Sequence, residues 1–233
     1  MCVATQAYTA RSESNRAERG LSGPGGALLL ALGCLVLMAL VWVVADLIPA
    51  AQAKDAWLLR DFTKLSGPRV DQVANVLIKA LNPVLFILWG SIIIAVALNR
   101  QRPRLAVAAF VVMAMSPLTA EVLKPLLAHG HHSAEGITVA AGSWPSGHST
   151  AAMSLVLSAV LVSAPRWRGV VAAAGALYAV GLGCSLLILQ WHMPSDVVGG
   201  FLVASLWTSL AVAGLRLSER MRPSAGSSSQ AAG

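Results

Sequence analysis

Residues capable of chemistry fall into three groups along the chain. The first is Glu121 and Lys124, followed by His129-Gly130-His131-His132. The second is Trp144-Pro145-Ser146-Gly147-His148-Ser149, and the third is Ser185 followed by Gln190-Trp191-His192-Met193-Pro194-Ser195-Asp196. All five histidines of the protein lie in these groups. A Ser-Gly-His segment opening a helix offers free backbone N–H groups, a hydroxyl and the positive end of a dipole, which together suit an anion such as phosphate. Lys124 adds a full positive charge. His192 and Asp196 are four residues apart, with Pro194 between them suited to the first turn of a helix. A carboxylate at that distance can accept from one imidazole nitrogen and leave the other facing a substrate as nucleophile or base. His148 is then a second, independent acid. Two histidines, an anion cradle and a lysine are the components of a phosphoryl-transfer site.

Taken singly, each group has a plainer reading. Pro-Ser-Gly opens many helices, His192 with Asp196 can be a capping pair, and Lys124 can be a residue snorkelling at a membrane boundary. His129, His131 and His132 lack the paired carboxylate or cysteine ligands of structural metal sites, so no metal is expected there. Cys34 and Cys184 sit in apolar stretches as small hydrophobes. Cys2 stands alone beside the start, and no disulfide framework or CxxC motif is present.

The elements that position these groups follow from composition. Of 233 residues, 56% are hydrophobic and only 12% charged, about half the charged fraction of a soluble domain. Mean hydropathy is +0.69, which excludes a disordered chain, and the low aromatic content argues against an outer-membrane barrel. Apolar stretches over Ala27 to Ile48, Val84 to Leu98, Leu105 to Leu127, Ser149 to Ala164, Gly169 to Gln190 and Val197 to Leu217 predict six transmembrane helices. The fold expected is all-α and polytopic, with the site at the outer ends of helices three to six. Residues 1–26 and 218–233 are expected to be disordered cytoplasmic tails around a membrane domain of residues 27–217. The mixed stretch Pro49 to Lys79 predicts an interfacial helix that ends at Gly67-Pro68.

Charge sets the sidedness. A net charge of +7 in a soluble protein would point to nucleic acid. Here Arg11, Arg16, Arg19, Arg100, Arg102, Arg104, Arg166, Arg168, Arg216, Arg220 and Arg222 gather on one side, against Lys54, Arg60, Lys64, Arg69, Lys79 and Lys124 on or near the other. The first side is therefore cytoplasmic. The basic excess is a topology signal and no nucleic acid partner is expected. Both termini are placed in the cytoplasm, the site faces outward, and the protein is expected in the inner (plasma) membrane. Ala51-Gln52-Ala53 resembles a signal-peptidase site, but the apolar stretch before it is longer than a signal h-region, so an uncut first span is expected.

With these residues in view, the chain resembles the type-2 phosphatidic acid phosphatase superfamily, which includes bacterial polyprenyl-pyrophosphate phosphatases and vanadium haloperoxidases. The family carries, in order, Lys-x6-Arg-Pro, Pro-Ser-Gly-His and Ser-Arg-x5-His-x3-Asp. The second is intact as Pro145-Ser146-Gly147-His148. The third keeps its spacing as Ser185-Leu186, five residues, His192, three residues, Asp196. The first begins at Lys124, with His131-His132 in place of Arg-Pro. The resemblance implies that His192 is the nucleophile, that Asp196 orients it and that His148 protonates the leaving oxygen. It further implies that Lys124, Ser146, Gly147, Ser185 and His131 bind the phosphoryl group, that no cofactor or metal is needed, and that the substrate is a lipid phosphate or polyprenyl diphosphate.

Both family arginines are replaced, one by His131 and the other by Leu186. An arginine makes bidentate, permanently charged contacts that neither residue reproduces. Two expectations follow. Another outer-face cation, from Lys54, Arg60, Lys64 or Arg69, fills in; or the chain is a catalytically weak or inactive member that binds a lipid phosphate or transfers a phosphoryl group. A purely structural membrane protein is the remaining reading, and it predicts that His148 and His192 tolerate alanine.

Overall fold

A computed structural model describes residues 23–128, 139 and 142–221, and among these all regular structure is helical. In chain order the helices are α1 (Pro24–Leu47), α2 (Pro49–Thr63), α3 (Pro68–Lys79), α4 (Pro83–Asn99), α5 (Pro103–Leu126), α6 (Gly147–Val162), α7 (Pro165–Ile188) and α8 (Pro194–Arg220). Each but α6 begins on a proline, whose fixed φ and missing N–H suit the first helical position. Only α6 opens without one, and it opens on Gly147-His148.

The protein is a multi-pass membrane protein. Helices α1, α5, α7 and α8 are long and apolar enough to cross a bilayer, and α3 with α4 qualifies together as a pair bent by 56° at Ala80-Leu81-Asn82. The six separate spans expected from sequence differ from this in two places. The second expected span is the far half of the bent pair, because Asn82 caps α4 by accepting from the Leu85 N–H at 2.9 Å and breaks the run from α3. The fourth is α6, whose 16 residues reach only ~24 Å at the helical rise, short of the roughly 30 Å of a hydrocarbon core. The chain break expected at Gly67-Pro68 is present: α2 lies before it and α3 after it. Helix α1 opens at Pro24, and α8 runs on to Arg220, so residues 24–26 and 218–220 are helical where the sequence reading ends the membrane domain at 27 and 217.

The packing is inverted relative to a soluble bundle. Large side chains such as Leu29, Leu30, Val84, Ile87 and Leu177 face outward. The faces between helices carry small ones, among them Ala106, Ala109, Ser116 and Ala120 of α5 and Ser149, Ala152, Ser154 and Ser158 of α6. With lipid outside there is no gain in turning leucines inward, and small residues let helix backbones approach. Helix α8 is central and packs against α1, α5 and α6; α7 packs against α6, α3 and α2. The buried hydroxyl of Ser116 donates to the Val112 carbonyl at 2.6 Å, as a polar group with no water available must.

Three arginine bonds tie one end of the bundle together. Arg100 Nη1 donates to the Val162 carbonyl at 3.1 Å, Arg216 Nη1 to the Gly23 carbonyl at 3.0 Å, and Arg104 Nη1 to Ser218 Oγ at 3.4 Å. The start of α1 and the ends of α4, α6 and α8 therefore share one face. At the opposite end the start of α6 meets the start of α8.

Candidate active site

Helix α6 begins at Ser146, whose side chain accepts from the Ser149 N–H at 3.3 Å and whose carbonyl accepts from the Thr150 N–H at 3.0 Å. Gly147 and His148 are the first two helical residues, so their N–H groups have no acceptor within the helix. The N–H of Ser146 donates in turn to the Asp196 carbonyl at 3.0 Å. This joins the Pro-Ser-Gly-His segment to the His192–Asp196 segment by main chain alone.

The close approach depends on two glycines of α8. A Cβ on Gly200 would stand 2.6 Å from the Ser146 carbonyl oxygen and 2.9 Å from the Thr150 nitrogen, and one on Gly199 would stand 2.7 Å from the Trp144 indole nitrogen. Real Cβ contacts are not made at those distances, so any larger residue would push α8 away from α6.

His148 and His192 face each other with ring centroids 6.5 Å apart and planes at 59°. His192 Nδ1 lies 3.3 Å from Asp196 Oδ2, and the same carboxylate oxygen accepts from the Met193 N–H at 2.9 Å. Asp196 is 1% exposed. In the neutral imidazole this contact favours the tautomer with the proton on Nδ1 and the lone pair on Nε2. The Trp191 ring packs edge-on to His148 at 5.7 Å. His148 stands one residue ahead of the apolar stretch beginning at Ser149. Burial, then His192, then the Lys124 ammonium push its imidazole below the ordinary value, and the Glu121 carboxylate opposes them.

Lys124 Nζ is paired with Glu121 Oε1 at 2.6 Å. Both sit over the opening of α6: a Cβ on Gly147 would stand 3.0 Å from that Glu121 oxygen and 3.3 Å from the Lys124 nitrogen. The structure therefore brings together Lys124, Ser146, Gly147, His148, His192 and Asp196. Ser185 is buried in α7, and its hydroxyl donates to the Gly181 carbonyl at 2.8 Å. His131, with His129 and His132, lies outside the described residues. Leu186 is fully buried in an apolar cluster with Leu59, Leu182, Leu187 and Val197. Among the described residues no group of three or more His, Cys, Asp or Glu side chains is arranged to hold a metal ion.

Sequence reasoning missed several participants. The sequence assigns no role to Glu121, yet its carboxylate pairs with the lysine. Gly199-Gly200, three residues past Asp196, was a readable signal of close helix approach. Asp55, whose carboxylate reaches Ser195, sits in a mixed-charge stretch where nothing distinguished it.

Comparison with known proteins bears on the same residues. No curated protein matches the sequence. A solved structure does: the crystal structure of a transmembrane PAP2 type phosphatidylglycerolphosphate phosphatase from Bacillus subtilis. It is 19% identical, with a TM-score of 0.65 over 82% of this chain and 97% of that one. At that identity the likeness is one of fold. The family model described as PAP2 superfamily matches residues 76–219, more than half of the chain and all of the site from Lys124 to Asp196. The chain belongs to the PAP2 superfamily.

Proposed function

We propose that the protein is an integral-membrane phosphohydrolase that removes phosphate from a lipid phosphate or polyprenyl diphosphate through a phosphohistidine intermediate. The observation that carries this reading is the facing pair His148 and His192, 6.5 Å apart, with His192 held through Nδ1 by a buried carboxylate. His192 Nε2 attacks phosphorus, and as the N–P bond forms the leaving oxygen departs with a proton from His148. Water then attacks the phosphohistidine, gives a proton to His148, and orthophosphate leaves as the N–P bond breaks. Lys124 and the free N–H groups of Gly147 and His148 hold the phosphoryl oxygens.

The topology we infer has six crossings: α1, the bent α3–α4 pair, α5, α6, α7 and α8. It is supported by the bonds at the two ends. The start of α6 is bonded to the start of α8, and its end is bonded by Arg100 at the face where α1 begins and α8 ends. Arg100, Arg104 and Arg216 mark that face as cytoplasmic. The site then faces outward from an inner membrane, and the membrane domain runs from the start of α1 to the end of α8, with the chain on either side of it cytoplasmic. A lipid substrate is supported by an apolar cavity of about 410 Å³ lined by Leu40, Val41, Val44 and Leu58, which runs up to Lys54, Asp55 and Ser195. Of the outer-face cations proposed to fill in for the missing arginines, Lys54 lines this cavity together with Ser195, whereas Lys64 is engaged by Asp61 at 2.6 Å.

The test is phosphate release from phosphatidate, lysophosphatidate, polyprenyl mono- and diphosphate and sugar phosphates, run beside His192→Ala. One lipid class is expected to be hydrolysed, with the variant slower by about a thousandfold or more. Release that is unchanged in His192→Ala overturns the assignment. A second reading is favoured by one observation: Lys124, the cation left where His131 and Leu186 replace the two motif arginines, is paired with Glu121 at 2.6 Å. That reading is of a weak member that binds a lipid phosphate or transfers the phosphoryl group, and it predicts saturable lipid-phosphate binding with no phosphate released.

A further inference from the structure

Helix α8 carries Asp196 at its third position, where Oδ2 accepts from the N-cap Met193 N–H at 2.9 Å as one arm of a capping box, but that arm leaves the second residue of the helix unserved. Its N-cap residue is Met193, which has no side-chain oxygen, and its first residue is Pro194, which has no N–H. The first N–H that needs an acceptor is that of Ser195. It is met from a helix 140 positions earlier in the chain: Asp55 of α2 accepts from the Ser195 N–H through Oδ1 at 3.2 Å and from the Ser195 hydroxyl through Oδ2 at 2.6 Å. A carboxylate across the N-terminus of a helix is favourable both as acceptor and against the helix dipole.

The contact is seated by packing as well. Ala56 and Leu59, on the same side of α2 as Asp55, are buried with Leu186, Leu187, Met193 and Val197. Helix α2 is thus fastened over the turn that carries His192 and Asp196 by an apolar face and a bidentate carboxylate. The second carboxylate at this turn, Asp196, uses Oδ2 for His192 Nδ1 and the Met193 N–H. Its Oδ1 is buried and has no hydrogen-bond partner among the described residues. With Asp55 in place, the Ser195 donors are taken and Asp196 stays turned to His192. Without it, the Ser195 N–H and hydroxyl lose their acceptor, and the first turn of α8 is free to shift and carry Asp196 out of line with the imidazole.

We infer that Asp55 is a positioning residue for the proposed phosphoryl transfer, capping α8 from α2 through Ser195 so that Asp196 keeps His192 oriented. Residue 55 lies ahead of the segment that matches the family, 76–219, so the device belongs to the amino-terminal part of this chain. The inference rests on the proposed function, and its experiment therefore carries a readout that needs no turnover.

The full chain is purified in detergent as wild type, Asp55→Ala, Asp55→Asn, Ser195→Ala and the Asp55→Ala/Ser195→Ala double variant. Phosphate release from phosphatidate and from a polyprenyl diphosphate is measured beside His192→Ala, and backbone amide exchange is followed at residues 195–197. Asp55→Ala is expected to lower kcat about tenfold, the scale of a small misplacement of a reacting group, with KM unchanged. Asp55→Asn, which keeps one acceptor, should recover part of the loss. The double variant should be no slower than the slower single variant, because both remove the same bonds. Amide exchange at Ser195 should quicken in Asp55→Ala. Unchanged kcat per folded molecule, or multiplying effects in the double variant, overturns the inference. If wild type and His192→Ala both release nothing, the proposed function fails. The clamp is then judged by exchange, and an unaltered Ser195 amide overturns it.

Discussion

The main-chain N–H of Ser146 donates to the carbonyl of Asp196 at 3.0 Å, so the residue that caps α6 is bonded directly to the residue whose carboxylate lies on His192 Nδ1. Two segments fifty positions apart are held in register by backbone, independent of their reactive side chains. The side chains can then be altered singly without the two turns separating, and the register itself can be attacked from the glycines behind it.

Gly200→Ala tests the register. Its Cβ would meet the Ser146 carbonyl and the Thr150 nitrogen at 2.6 and 2.9 Å, both main-chain atoms that cannot rotate away. Overpacking of this kind costs about 1–3 kcal/mol, and parting α6 from α8 should slow phosphate release by at least about tenfold. Thermal unfolding in detergent and a hydrolysis assay check the two effects. Wild-type values in both would mean that the helices do not approach as described.

Asp196→Asn keeps the volume of the buried side chain and removes its charge. The amide must serve both the Met193 N–H and His192 Nδ1, and one orientation presents an NH2 where Nδ1–H needs an acceptor. A nucleophile or base held in the wrong tautomer loses about a thousandfold or more in kcat. Steady-state kinetics measures the loss, and nitrogen chemical shifts of His192 report the tautomer. A variant with full kcat would remove Asp196 from the mechanism.

Much of this site was legible from residue types and spacing. His148, His192, Asp196 and Lys124 were identified because apolar spans leave few polar residues without a task. The elements holding them were less legible. Helix α6 reads as one more apolar span, and its shortness shows only once Ser146 is seen to cap it. The bend between α3 and α4 depends on Asn82 acting as an N-cap, a local choice that hydropathy does not record. Asp55 reaches Ser195 across 140 positions, and no periodic pattern links them. In the sequence Leu186 stands only for the loss of a phosphate ligand. Its place among Leu59, Leu182 and Val197 gives that position a different task, filling the core under α2.

Leu186→Arg, which restores the family residue, should therefore fail to restore activity. The guanidinium would replace a fully buried leucine in an apolar cluster, and an unpaired buried charge is among the most destabilising changes known. Reduced yield of folded protein, measured by size-exclusion chromatography in detergent, is the expected outcome. A folded variant with raised kcat/KM would show instead that the side chain reaches the phosphoryl site.

Glu121→Gln separates charge balance from geometry. The carboxylate holds Lys124 at 2.6 Å and is 62% exposed on its side chain, so the pair is weak and a phosphoryl group competes with it. Freeing the lysine should lower KM by about twofold, the scale of an exposed ion pair. The same carboxylate raises the His148 pKa against burial, His192 and Lys124. Removing it lowers that pKa further, so a more acidic solution is needed to charge His148 in the free protein. The limb of kcat/KM that reports the protonated acid should move to lower pH. Lys124→Gln removes a charge that depresses the same group, so its residual kcat/KM should move to higher pH. Opposite displacements in the two variants identify His148 as the acid. Displacements in the same direction, or none, assign the proton to another group.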